Sequence, residues 1–391
     1  MDTQNTLMHI RLWNRHFWRL ALSNFFLAIS AYMLIPSLAR YFSSKGYNNS
    51  SIGWVMLCFA LGVFVLGGFS GYLIQRFRRN VVCIVSILLM TVCTGALYYF
   101  EILKKDAISY NTLLLLRLVQ GAFYGLAQMV LLGTLVIDTV EASHRTEANY
   151  SVTWFGRLAL SVGPLVALML YRQLDSGSVF LGSCISGLIA MLLVLSVKFP
   201  FRAPEETIHI FSLDRFLLIQ GGWLSVTLVC SAMLVGMVLS VSQTPLFFIL
   251  LMIGFLLAVL AERFAFANAD LRSEGVTGLL LIGMAMLLML TRTQHVVDLI
   301  APAFIGLGIG LIGSRFLLFF IKLSKHCQRG TSQTTYLLSW ELGLGLGLFF
   351  GYNLLDMQKE MILEIGIGIT IIILLLYRFY VHSWYVHHKN R

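Results

Sequence analysis

Charge is what this chain has least of. Asp, Glu, Lys and Arg make up 12% of its 391 residues, hydrophobic residues make up 58%, and the mean hydropathy is +0.82. Soluble globular chains carry about 25% charged residues, so this composition excludes a soluble protein with a large core. It describes a chain whose outer surface faces lipid. Proline is scarce at six residues, which with little Ser, Thr and Gln excludes a disordered or low-complexity protein. Cysteine is equally scarce. Cys58, Cys83, Cys93, Cys184 and Cys230 fall in apolar runs and Cys327 in a loop, with no CxxC, so no disulfides are expected. The nine histidines all lie in loops, termini or at a helix end. That leaves no intramembrane ligand for a haem or a metal, and His387-His388 reads as a solvated basic tail. No Ser/His pair, acidic metal cluster or phosphate-cradling Gly-rich loop with a following Lys-Ser/Thr is present. These gaps argue against an enzyme, an ATP-driven pump and a bound cofactor.

What the chain does have is long apolar runs. A spanning helix needs about 20 mostly apolar residues, and twelve candidates appear: 18–40, 52–74, 81–100, 111–137, 150–171, 178–198, 216–241, 245–261, 276–291, 299–321, 334–355 and 361–381. The fold class expected is an all-α membrane protein of twelve transmembrane helices. The Arg-rich start runs into the first apolar segment without a small-residue cleavage pattern, so it reads as a spanning helix and not a signal peptide. With a cytoplasmic N-terminus, eighteen of the 28 Lys and Arg fall in inside segments and seven in outside segments. That bias places both termini in the cytoplasm of an inner (plasma) membrane protein. The formal charge of +10 then marks topology, and nucleic acid is excluded as a partner because no clustered basic face with interleaved aromatics exists. The partners expected are the lipid bilayer and a small-molecule substrate, with the protein a monomer.

The polar connection 199–215, with Pro200 and Pro204, divides the chain into an N-terminal bundle, 1–198, and a C-terminal bundle, 216–391, with six runs each. Transporters are often built from such repeats, with the substrate site near the midplane between them. Superposing the halves so that Arg145 falls on Arg329 also brings Arg157 onto Glu341 and Gly163 onto Gly347. Equivalent helices then carry opposite charges about two turns in.

Arg117-Leu118-Val119-Gln120-Gly121 resembles the RxxQG motif of the major facilitator superfamily of secondary transporters. The segment Gly71 to Arg79 resembles that family's gating motif between the second and third helices, with Gln75 where the family has an Asp and Arg78 where it has a Gly. Gly163-Pro164 is similar to the Gly-Pro motif of its antiporters, and Arg145 and Arg329-Gly330 match the basic residue after the fourth and tenth helices. The resemblance covers the whole chain and points to the drug- and sugar-efflux branch. It implies two pseudo-symmetric six-helix bundles, alternating access and transport of a small organic molecule driven by a proton or sodium gradient. Ion-coupled efflux leads, with uptake or exchange of an organic anion, or lipid flipping, as alternatives. It also implies a cavity lined by the first, fourth, seventh and tenth helices, hence Asn24, Tyr32, Gln120, Tyr124, Gln128, Gln220, Trp223 and Ser314. The gate it implies uses Gly71, Arg76, Arg79, Arg145 and Arg329.

Charges within a bilayer are expensive and so are paired or functional. Those in the runs are Arg117, Arg157, Arg315 and Glu341. Glu341, next to Trp340, is read either as a proton-coupling carboxylate or as one half of a fixed pair. Arg117 is read as a coupling residue or an anchor to carbonyls. Arg157, one turn after Trp154, is read as a contact for a carboxylate or phosphate or as a partner of Glu262. Arg315 is expected to snorkel to the interface. Gly67 and Gly71 in the second run, and Gly343, Gly347 and Gly351 in the eleventh, are expected to let those two helices approach closely across the halves.

Overall fold

The computed structural model describes residues 13–104, 108–141, 144–199, 209–266, 269–292, 294–325, 328–356 and 358–389. His326, Cys327 and most of the 199–215 connection lie outside the described residues. The described chain is helical: α1 (Arg15–Tyr32), α2 (Leu34–Ser44), α3 (Asn49–Val65), α4 (Gly67–Arg76), α5 (Arg79–Tyr98), α6 (Tyr110–Val130), α7 (Val136–Asp138), α8 (Arg145–Gln173), α9 (Ser176–Leu195), α10 (Gly222–Val241), α11 (Pro245–Phe264), α12 (Leu271–Thr291), α13 (His295–Leu323), α14 (Arg329–Phe349), α15 (Lys359–Leu376) and α16 (His382–His388). Turns of π-helix at Leu131–Leu135, Phe350–Leu354 and Tyr377–Val381 carry α6, α14 and α15 onward.

Helix starts follow local capping chemistry. The side chains of Asn14, Asn48, Ser109, Asp175 and Thr244 accept hydrogen bonds from backbone amides three residues on, satisfying donors that a helix leaves unpaired. Among the described residues, ten helices are long and apolar enough to cross a membrane, or eleven if α3 and α4, bent by 43° at Leu66, form one span. The short runs at 245–261 and 276–291 are complete helices of 20 and 21 residues. α14 is not among the ten. It carries Gln333, Thr334, Thr335, Ser339 and Glu341, all buried; the other helices surround it and take its polar face out of lipid.

α1 packs on α8 and α9, α3 on α6, and α5 on α6 and α9; α10 packs on α14, and α11 and α12 both pack on α13. α14 also crosses α3, and α8 crosses α11. Glycine sets the closest approaches. A Cβ on Gly121 would lie 2.0 Å from the Phe59 carbonyl oxygen, one on Gly62 would lie 2.1 Å from that of Leu118, and one on Gly306 would lie 2.1 Å from that of Leu251. The expected role of the α14 glycines needs correcting. Gly343 and Gly347 press on the Val229 and Met233 carbonyls of α10, and Gly351 on Ser240, while the residue against α3 is Gly345, whose Cβ would meet that of Ala60 at 2.1 Å. Gly67 meets the Phe216 ring and Gly71 faces Arg215 at 3.9 Å, so neither touches α14. The helical period explains this: 343, 347 and 351 share one face, and 345 lies on the opposite one.

Among the described residues, contacts between distant parts of the chain occur near both ends of the bundle. At the end carrying the termini, Gln333 Nε2 donates to Thr153 Oγ1 at 2.5 Å, Tyr150 donates to Glu262, Thr331 Oγ1 donates to the Asp214 carbonyl at 2.5 Å, and the Gly330 and Gly133 backbones touch. At the other end, Arg40 donates to the Gln243 carbonyl at 2.7 Å and Asn49 donates to Asp356 at 2.7 Å.

Candidate functional site

α6 places Arg117, Gln120, Tyr124 and Gln128 along one stripe, because steps of three and four residues stay on one face of a helix. All four are buried. The stripe is a continuous set of contacts. The Arg117 guanidinium donates to Gln120 Oε1 at 2.5 Å, and Gln120 Nε2 donates to Thr94 Oγ1 at 2.7 Å. Arg117 also lies 4.6 Å from the Phe59 ring centroid, and that ring packs on Tyr124 at 5.3 Å. Gln128 Nε2 reaches the Tyr124 hydroxyl at 3.3 Å.

The stripe ends at Glu341 of α14. Its Oε1 accepts hydrogen bonds from Tyr32 of α1 at 2.6 Å and from Tyr124 at 3.2 Å. Glu341 is 8% exposed, and both tyrosines are buried. Asn24, Tyr32, Tyr124, Arg157, Trp340 and Glu341 line one cavity, with Gln128 and Thr153 in its wall. Its volume, about 20 Å³, admits about one water; substrate pockets run to several hundred Å³.

Arg157 reaches the cavity from α8. Its guanidinium carbon sits 3.9 Å from the Trp340 ring centroid and 4.8 Å from that of Tyr336. The two rings are one turn apart on α14, so together they form a wall that fits a flat cation. Tyr336 is fixed in turn by its hydroxyl donating to the Gly313 carbonyl at 2.8 Å. Gly313 leaves room for this placement, since a Cβ would come within 2.5 Å of Arg157 Nη1 and the guanidinium would have to shift. Both Nη atoms are buried without a hydrogen-bond partner. A charge at bilayer depth costs at least about 2.5–3.5 kcal/mol on insertion scales, and the two aromatic faces offset only part of that.

The structure therefore brings Asn24, Tyr124, Gln128, Arg157, Trp340 and Glu341 together around one cavity and joins Arg117 and Gln120 to it through Phe59. It does not bring Trp223 there. Trp223 is 41% exposed, packs on Tyr380 at 4.9 Å and lines an outer groove with Trp384 and His388. The inner face of α10 is formed by Leu224, Thr227, Leu228, Ser231 and Val235, and position 223, in the first turn of the helix, lies to the side of that face. A further expectation is corrected. Glu262 is bonded by Tyr150 and not by Arg157. Arg315 makes a two-pronged pair with Glu274 in the first turn of α12, which is fully buried. Glu274 was missed because the ninth run was started at residue 276. Tyr32, expected only to line the cavity, is a direct partner of Glu341, and no spacing rule connects positions so far apart in sequence.

The residues expected at the gate sit at the end that carries the termini. Arg79 pairs with Asp138 at 2.8 Å, so a carboxylate at the end of the fourth span takes the charge that Gln75 cannot. Arg76 is exposed at the C-terminal end of α4, where a cation complements the helix dipole. Arg145 and Arg329 are the first residues of α8 and α14.

Residues 20–348 match the Major Facilitator Superfamily. None of the curated proteins matches in sequence. Among solved structures, the fold is similar to that of the human organic anion transporter (TM-score 0.69, 14% identity, 92% of this chain and 98% of that one). It is also similar to a D-xylose–proton symporter (0.69, 14%, 93% and 97%) and to a nucleoside transporter (0.66, 13%, 93% and 98%).

Proposed function

The chain belongs to the Major Facilitator Superfamily; it is a multi-pass membrane transporter and not an enzyme, and we propose that it is a proton-coupled secondary transporter of a small organic molecule. In this reading it has twelve spans, α14 with its π turn being one of them. They form two bundles, 1–198 and 216–391, joined by a cytoplasmic 199–215 connection, in an inner membrane with both termini cytoplasmic. Outward transport is the direction proposed, following the resemblance of Gly163-Pro164 to the efflux branch. Arg76, Arg79, Gly71, Arg145 and Arg329 belong to the cytoplasmic gate.

One observation carries the coupling: Glu341 in the C-terminal half is bonded by Tyr32 and Tyr124 from the N-terminal half. When the halves separate, the carboxylate loses both donors and meets water. Its proton affinity therefore differs between the closed and opened arrangements, which is the physical requirement for exchanging a proton during the cycle. Arg117 and Gln120 tie this acid to the fourth helix through Phe59 and Tyr124.

The test is a thermal-shift screen of metabolites and drugs against the purified protein across pH, repeated on Glu341→Gln. The expected result is a stabilising ligand whose effect changes with pH in the parent and is pH-independent in the variant. An unchanged pH profile in Glu341→Gln removes Glu341 from coupling.

A further inference from the structure

The polar atoms left unpaired around the cavity sort by kind. Arg157 Nη1 and Nη2 and Trp154 Nε1 are buried donors without acceptors. Asn24 Oδ1 and Gln128 Oε1 are buried acceptors without donors. Their assignment is fixed by what the other end of each amide does: Asn24 Nδ2 donates to the Val152 carbonyl at 2.9 Å. Gln128 Nε2 faces a Tyr124 hydroxyl whose proton goes to Glu341. Native interiors leave few such groups unpaired, and here five atoms border two voids that meet at Arg157. The unpaired donors border the void with Trp154 and Gly313; the unpaired acceptors border the void with Glu341.

Arg157 is 93% buried by its 7% exposure, and no carboxylate forms an ion pair with it among the described residues. Its two rings neutralise none of its charge. A guanidinium with two free parallel donors matches two oxygens of one carboxylate or phosphate. The indole N–H beside it supplies a third donor to the same head. The two amide oxygens on the other side accept from hydroxyl or amino groups.

We propose that the transported molecule is a small hydroxylated organic anion, its carboxylate or phosphate held by Arg157 and Trp154 and its hydroxyl groups by Asn24 and Gln128. This rests on the transport reading above and adds the substrate class. Trp340 and Tyr336 position the guanidinium; they do not replace its counter-ion.

The probes are gluconate, glucose 6-phosphate and glucose, which share a hydroxylated body and differ in the head. Purified full-length protein is tested by thermal shift and by equilibrium binding. The expected result is stabilisation by one or both anions and none by glucose, with binding at least tenfold weaker in Arg157→Gln. Response to gluconate alone identifies a carboxylate head, and response to glucose 6-phosphate alone a phosphate head. Should Arg157→Gln fold poorly, Gly313→Ala keeps the charge but displaces the guanidinium, and it too is expected to weaken anion binding. Equal stabilisation by glucose, anion binding unchanged in both variants, or no response to either anion overturns the proposal. The Glu341→Gln variant separates the two readings: it is expected to keep the preference for anions over glucose while losing its pH dependence. Loss of that preference in Arg157→Gln, with pH dependence untouched in Glu341→Gln, leaves the anion site standing and the coupling reading refuted.

Discussion

Buried charges in this protein are settled one residue at a time, in three different ways. Arg117 is held by a glutamine and an aromatic ring, Arg157 by two rings, and Arg315 by a carboxylate. Only the last is a full ion pair, and it lies between α12 and α13, away from the Glu341 cavity. Removing one partner of a buried pair leaves an uncompensated charge and costs about 3–5 kcal/mol. Arg315→Met is therefore expected to destabilise the protein strongly, as Glu274 is fully buried, and Arg315→Met with Glu274→Gln to recover part of the loss. Thermal unfolding in detergent reads both. A double variant no more stable than Arg315→Met alone would show that the pair does not act as one unit. The sequence made Arg315 visible as an expensive residue but not its partner, because a carboxylate two residues outside an apolar window looks like loop.

At the scale of the helix, the apolar runs located the elements and the motifs located the working faces. The positions of Arg117, Gln120, Tyr124 and Gln128 on one stripe follow from spacing alone. Which helix each glycine faces did not, since a period of 3.6 residues gives relative angles within one helix and not its rotation against its neighbours. Gly345, not the 343/347/351 series, meets α3. Trp223 failed for the same reason: its helix was right and its face was wrong. The glycines themselves yield a paired prediction. Gly121→Val puts side-chain atoms into the Phe59 backbone and is expected to cost at least about 1–3 kcal/mol by overpacking. Gly95→Ala meets nothing within 4 Å and, relieved of glycine's entropy cost, is expected to be neutral or stabilising by up to about 1 kcal/mol. Melting temperatures of the two variants test the close approach of α3 and α6; equal behaviour would contradict it.

For the whole molecule, the closures at the two ends are made by different chemistry. At the end with the termini, Tyr150–Glu262 and Thr153–Gln333 bring α8 against α11 and α14; at the other, Arg40 and Asn49 reach Gln243 and Asp356. Asp356 has a φ of 43°, in the left-handed region, which Asp tolerates better than most side chains. Removing the first pair of bonds, by Tyr150→Phe with Gln333→Ala, is expected to favour opening at the end with the termini. Thr334, buried beside Gly133, reports it. As Thr334→Cys in a background without native cysteines, it is expected to react with a water-soluble maleimide about five-fold faster or more, the range of a typical coupling energy. An unchanged rate would mean these bonds do not hold the gate. None of these contacts was legible in the sequence, because each joins residues over a hundred positions apart and involves common polar types at no fixed spacing.

The crossing of α3 and α14 at Ala60 and Gly345 brings together two of the smallest residues in the chain. Along α14, Gln333 lies about 18 Å to one side of that crossing, at 1.5 Å per residue, and Asp356 follows the π turn Phe350–Leu354 on the other side. In the proposed cycle, a tight contact with closures on either side of it behaves as a fulcrum. Rotation about it that parts one closure presses the other shut. In the proposed alternating-access cycle, such a rocker would give no passage to both compartments at once, and the driving ion gradient would not drain through it.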